Sequence, residues 1–128
     1  MKLLLDTHAF VWFVTDDPRL SSNARAAIED AQNQVALSIA SVWEMAIKHR
    51  LGKLSYPAPF DQFILQETAK NDISLLPITV QHAIAVAFLP LHHRDPFDRL
   101  LAVQSKAENM TLVSIDAAMD HYDLRRLW

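Results

Sequence analysis

Leu3-Leu4-Leu5-Asp6-Thr7-His8 sets three consecutive leucines directly against an acid. A run this short cannot bury one face of a helix, and its abrupt polar end is that of a strand buried on both faces. The same signature recurs at residues 35–39, 73–78 and 111–115, the last of these leading through Leu112-Val113-Ser114-Ile115 into Asp116. Between the runs lie amphipathic or Ala-rich segments that read as helices over 9–14, 23–32, 42–50, 60–71, 80–88 and 96–108. Continuous apolar strands alternating with helices predict an α/β fold with a mostly parallel sheet covered on both faces. In such sheets ligands bind outside the carboxyl ends of the strands, so the polar residues that end the strands are the first candidates for function.

Composition narrows the chemistry. The chain has 128 residues, 51% hydrophobic and 21% charged, with one glycine and no cysteine. A domain of this length buries roughly two-thirds of the surface its unfolded chain exposes, so it needs no covalent staple. Without cysteine there is no disulfide scaffold, thiolate zinc site or cysteine nucleophile. The lone Gly52 excludes dinucleotide fingerprints and P-loops, which need several glycines to bring amides close to phosphate. No repeat, low-complexity tract or linker interrupts residues 1–128, which read as one domain. Asp6 ends the first apolar run too early for a signal peptide, and no run reaches the length of a membrane span. A cytoplasmic protein with its natural N-terminus, and no membrane partner, is the expectation.

Four acids stand out. Asp6 and Asp116 each follow a strand, where a lone aspartate also serves as a helix cap. Glu44, in Ser41-Val42-Trp43-Glu44, fits a capping box, yet a carboxylate in a first turn can still face the top of the sheet. Asp95 before Pro96 reads as an N-cap with proline at N1, which puts Asp98 at N3 and leaves Asp98 as the functional member of that pair. A carboxylate cluster without thiols is a hard oxygen site, suited to Mg²⁺ or Mn²⁺ and through them to substrate phosphates. Such ions orient water for attack on a phosphodiester and stabilise the leaving oxygen. The net charge is −3, from 12 Lys and Arg against 15 Asp and Glu. Setting the four acids aside leaves 11 acids and 12 bases, a remainder of +1 that does not repel a polyanion.

Taken in order, Leu-Leu-Leu-Asp6-Thr-His, Ser41-Val-Trp-Glu44-Met-Ala-Ile-Lys with Leu51-Gly52-Lys53-Leu54, Asp95-Pro-Phe-Asp98-Arg-Leu-Leu-Ala and Leu112-Val-Ser-Ile-Asp116 resemble the PIN-domain ribonucleases, specifically VapC-type toxins of type II toxin-antitoxin systems. The resemblance spans essentially the whole chain. It implies a three-layer α/β/α domain whose sheet has four to five strands, residues 125–128 supplying a short edge strand. It further implies Mg²⁺- or Mn²⁺-dependent endonucleolytic cleavage of RNA, homodimerisation and a cognate protein antitoxin. By position, Asp6, Glu44 and Asp98 would be the core metal-binding acids and Asp116 the fourth. Ser114 matches the family's hydroxyl near the last acid, while Ile115 departs from the commoner polar residue.

Other residues carry weaker readings. Thr7, His93, Arg99 and Ser114 are candidate substrate contacts, with a solvated loop as the alternative for His92 and His93. Lys48, Arg50 and Lys53 could line an RNA groove or simply stay solvated. Phe10, Trp12, Phe13 and Trp43 read as core or dimer face, because their neighbours are apolar. A phosphoacceptor receiver domain would need an acid ending the third strand, where Pro77 stands, and a haloacid-dehalogenase-like phosphatase a second aspartate after Asp6. A PIN-domain RNA-processing nuclease that is not a toxin, and a catalytically silent PIN binding module, stay open.

Overall fold

The computed structural model describes residues 1–56 and 59–128. Five strands, β1 (Lys2–Leu5), β2 (Gln34–Ser38), β3 (Ile73–Leu76), β4 (Thr111–Val113) and β5 (Arg126–Leu127), form one all-parallel sheet in the order β3-β2-β1-β4-β5. The helices are α1 (Thr7–Val14), α2 (Ser22–Glu29), α3 (Ile39–Arg50), α4 (Phe60–Lys70), α5 (Val80–Val86) and α6 (Pro96–Ala107), with a 3₁₀ helix at Ala117–Tyr122. The three-layer α/β/α architecture and the short C-terminal edge strand are as expected.

β1 is central, and Leu3, Leu4 and Leu5 are all fully buried. Alternation splits them: Leu3 and Leu5 join Val35, Leu37 and Val113 under Phe10, Met45 and Phe63, while Leu4 joins Ala36 and Leu112 under Leu101, Met119 and Tyr122. Full burial of one such leucine is worth about 2 kcal/mol over leaving it in water, so this strand anchors both layers. Its neighbours are β2 and β4, which puts the reversal of strand order between β1 and β4. At such a reversal the flanking connections leave toward opposite faces and open a crevice above the strand ends.

Three strands end earlier than expected, and the helices expected over 23–32 and 80–88 stop at Glu29 and Val86. The strand at 35–39 gives way to helix at Ile39, because the buried Ser38 side chain caps α3 by accepting from the Ala40 N–H at 3.0 Å. Ser41 therefore lies inside α3 and Glu44 in its second turn, so the expected capping box does not form. The runs at 73–78 and 111–115 stop at Leu76 and Val113. Proline at 77 has no N–H to continue a ladder, and β3 is a partly exposed edge rather than a strand buried on both faces. Beyond β4 the Asp116 N–H turns to the Ser114 hydroxyl at 3.1 Å. Gly52, at φ +71°, closes α3 as the C′ residue of a Schellman turn, its N–H bonding the His49 carbonyl and the Lys53 N–H that of Lys48.

Candidate metal and active site

The crevice predicted by the strand order is a cleft of about 300 Å³ lined by Asp6, Glu44, Asp98 and Asp116, together with Lys48 and His93. Each acid arrives on a different element. Asp6 ends β1 and caps α1, its Oδ1 accepting from the Ala9 N–H at 2.8 Å. The cap geometry and the site are thus compatible: one oxygen anchors the carboxylate and leaves the other for the cleft. Glu44 comes from α3, held by the Thr7 hydroxyl on Oε1 at 2.5 Å and by Lys48 Nζ on Oε2 at 2.8 Å. Asp98 stands in the first turn of α6, behind Asp95, which caps that helix by accepting from the Phe97 and Asp98 amides at 2.8 and 3.2 Å. Asp116 caps the 3₁₀ helix through the Ala118 N–H at 3.0 Å.

The electrostatics are those of crowded anions. Burial pushes the Asp6 carboxyl up, opposed by its hydrogen bond from the Ala9 amide and by the nearby Ser114 hydroxyl, while Glu44 adds to the upward push. Asp98 is raised to about 7, by burial first and then by the charge of Asp95, with Asp6 and Glu44 adding smaller pushes and His93 pulling the other way. Five carboxylates line one cleft, Asp95 being the fifth beside its role as the α6 cap, and Lys48 is engaged with only one of them, Glu44. A site that drives one of its own acids toward neutrality is a site built for additional positive charge. Its lining acids offer hard oxygens and no thiolate, so the donor chemistry fits Mg²⁺ or Mn²⁺.

The residues read as substrate contacts have other occupations. The Thr7 hydroxyl is committed to Glu44, and Ser114 is buried beneath the site, its hydroxyl accepting from the Asp116 amide. Arg99 points away from the cleft and donates to the carbonyls of Val86, Pro90 and His93 at 3.3 to 3.4 Å, tying down the loop between α5 and α6. His93 lies inside the site, its Nε2 2.8 Å from Asp116 Oδ2 and 3.3 Å from Asp98 Oδ2. Its place among the acids had no signal beyond nearness to Asp98 in sequence. Lys48 joins the cleft wall, and its i,i+4 spacing from Glu44 was the available clue.

The class defined by fold and site is an α/β/α domain with an acidic centre at a parallel-sheet switch point. The PIN domain model matches residues 3–124, and the chain belongs to the PIN domain family. A segment of 70 residues is 40% identical to Ribonuclease VapC16 of Mycobacterium tuberculosis, covering 52% of this chain and 48% of that protein. The match thus spans about half the length of this curated relative. Among solved structures, the fold resembles VapBC2 from Rickettsia felis bound to a DNA fragment from its promoter, at 18% identity and TM-score 0.66, over 98% of this chain and 97% of that one. It also resembles VapBC-1 from nontypeable Haemophilus influenzae, at 16% identity and TM-score 0.65, over 98% and 96% of the two chains. No helix among the described residues is long and apolar enough to cross a membrane.

Proposed function

We propose that this chain is a single PIN domain acting as a Mg²⁺- or Mn²⁺-dependent endoribonuclease, the cytoplasmic toxin of a toxin-antitoxin pair. The observation that carries the reading is the convergence of Asp6, Glu44, Asp98 and Asp116 on one cleft, where burial and then the neighbouring carboxylates raise Asp98 to about 7. The ribonuclease relative and the VapBC neighbours point the same way. Asp6, Glu44 and Asp98 would hold the cation, with Asp116 completing the cluster. When bound, Mg²⁺ or Mn²⁺ supplies the charge that orients water for in-line attack on a phosphodiester and stabilises the leaving oxygen. The protein's part is alignment: Thr7 and Lys48 fix Glu44, the Ala9 amide fixes Asp6, and the Asp95 cap fixes the first turn that presents Asp98.

Two exposed apolar stripes support a protein antitoxin and a second copy of the chain as partners. Beside the cleft, α3 exposes Ile39, Trp43 and Ile47 at four-residue intervals, an apolar stripe that continues to its C-cap Leu51 and is flanked in sequence by Arg50 and Lys53. An amphipathic segment of an antitoxin would bury this stripe and cover the cleft together. A second stripe on α5, Val80 and Ile84 continuing to Phe88, suits homodimerisation. The test is RNA cleavage by the purified chain with and without Mn²⁺, for the wild type and Asp98→Asn. Cleavage that needs Mn²⁺ and vanishes in the variant supports the reading, and equal cleavage by both proteins refutes it. Inertness of the wild type with every divalent metal would favour the silent binding module.

A further inference from the structure

One ligand atom each from His93, Asp98 and Asp116 lies within 4.8 Å of the others, spacing that would suit a cation held by all three. The second nitrogen of the His93 ring argues otherwise. Asp95 donates its backbone N–H to His93 Nδ1 at 3.1 Å, so the Nδ1 lone pair is occupied as an acceptor and the ring proton is on Nε2. A metal-bound histidine has the reverse arrangement, with a bare coordinating nitrogen and an N–H directed outward to a carbonyl or carboxylate. Here the outward nitrogen meets a donor, and the N–H is the end aimed at the acids.

The ring has little freedom to change this. The His93 carbonyl accepts from Arg99 at 3.4 Å and from the Tyr122 hydroxyl at 3.5 Å, so the main chain is held from two sides. Turning the imidazole over would abandon both the Asp95 amide and the carboxylates. Asp116, the most exposed of these side chains at 40%, is thereby pinned at each oxygen, Oδ1 by the Ala118 amide and Oδ2 by His93.

We propose that His93 is a positioning residue for the cation site: a fixed Nε2–H donor that aligns Asp116 and Asp98 toward Asp6 and Glu44 without itself ligating the ion. The proposal rests on the metal-dependent nuclease reading above and adds a role that proximity alone would assign differently. Two carboxylates that face each other repel and splay, and one shared donor holds them at the spacing the site needs. The tautomer is the distinguishing property, because a ligand and a positioning donor must carry the ring proton on different nitrogens.

The experiment is ¹⁵N NMR of the histidine side chains in the full chain, metal-free and titrated with Mg²⁺, combined with calorimetric Mg²⁺ binding by wild type, His93→Ala and His93→Gln. We expect the His93 proton on Nε2 both before and after Mg²⁺. The affinity should fall about 10–100-fold in His93→Ala and recover in large part in His93→Gln, whose amide can donate from a similar reach. The tautomer measurement needs no variant, so it decides the question even if His93→Ala folds poorly. Transfer of the proton to Nδ1 on Mg²⁺ binding, or an unchanged affinity in a folded His93→Ala protein, overturns the proposal alone. Absence of Mg²⁺ binding by the wild type overturns it together with the cation-site reading.

Discussion

Thr7 Oγ1 donates to Glu44 Oε1 at 2.5 Å, joining the first residue of α1 to the second turn of α3 across the mouth of the cleft. Thr7 follows Asp6 directly, so this bond sets the position of one site acid against the element that carries another. Replacing Thr7 with valine keeps the shape and removes the donor. Mn²⁺ affinity and RNA cleavage should then fall together, about 10–100-fold, as expected when a group orienting a metal-binding carboxylate is lost. Thr7→Ser should retain most of both. Because Lys48 still holds the other oxygen of Glu44, thermal unfolding should move little, and a scan alongside the binding titration separates loss of alignment from loss of fold.

Asp98 gives the metal-free protein a characteristic pH dependence. Its carboxyl is raised from 3.8 to about 7, so between those values the folded chain retains a proton that the unfolded chain has released. Stability therefore falls as pH rises through this window, by up to about 4 kcal/mol for a shift of roughly three units. Asp98→Asn should flatten the slope, leaving a variant more stable than the wild type at pH 8 without metal yet deficient in cation binding. Mg²⁺ should reverse the wild-type trend, since below about pH 7 it must displace that proton. Urea unfolding at pH 5, 6, 7 and 8, with and without Mg²⁺, measures both effects, and a metal-free wild type whose stability rises across the series would contradict them.

The strand cores and the acids were legible because both depend on local pattern: three leucines followed by Asp6 can be read without knowing their neighbours. Boundaries set by a single distant or competing contact were not. Ser38 and Ser41 are both serines preceding apolar helical residues, and only the tertiary bond from Ser38 Oγ to Gln104 Oε1, at 2.5 Å and 66 residues away, marks the first as the buried cap. The run at 73–78 reads as buried because sequence shows its apolarity but not that β3 lies at the sheet edge. The Asp95 cap was legible, since an acid before proline has few other uses at a helix start. The direction in which Arg99 turns was not, because the carbonyls it binds are made available only by the path of the loop.

Gln104 is the buried junction that this pattern concealed. Its Oε1 accepts from Ser38, and its Nε2 donates at 3.3 Å to the Pro77 carbonyl and to His82 Nδ1, linking α6 to the ends of β2 and β3 and to α5. Gln104→Leu fills similar space but strands the Ser38 hydroxyl and the Pro77 carbonyl. Leaving such groups unpaired should cost about 2–4 kcal/mol, on the order of 10 °C in Tm. Gln104→Glu should be tolerated less well than its size suggests, because the carboxylate cannot donate to Pro77. Thermal melts of the two variants check this, and a Gln104→Leu protein melting within a degree or two of wild type would show that the junction contributes nothing.

The exposed face of α5 makes the last prediction. Residues 73–91 contain no Asp, Glu, Lys or Arg, and within them Val80, Ile84 and Phe88 repeat at four-residue spacing, Phe88 being 83% exposed. A face without charge meets a copy of itself without like-charge repulsion, as a two-fold interface requires. An exposed apolar patch of this kind is a common mark of an association surface. Ile84→Glu with Phe88→Glu should convert a dimer to a monomer in sedimentation equilibrium. Both side chains are already exposed, so substitution removes no core packing and the monomer's unfolding should differ from wild type only by the lost association term. The acids lie elsewhere, on the cleft above β1 and β4, so Mg²⁺ binding per chain should be unchanged. A wild type that is monomeric at every concentration, or a variant that stays dimeric, would assign this face no role in self-association.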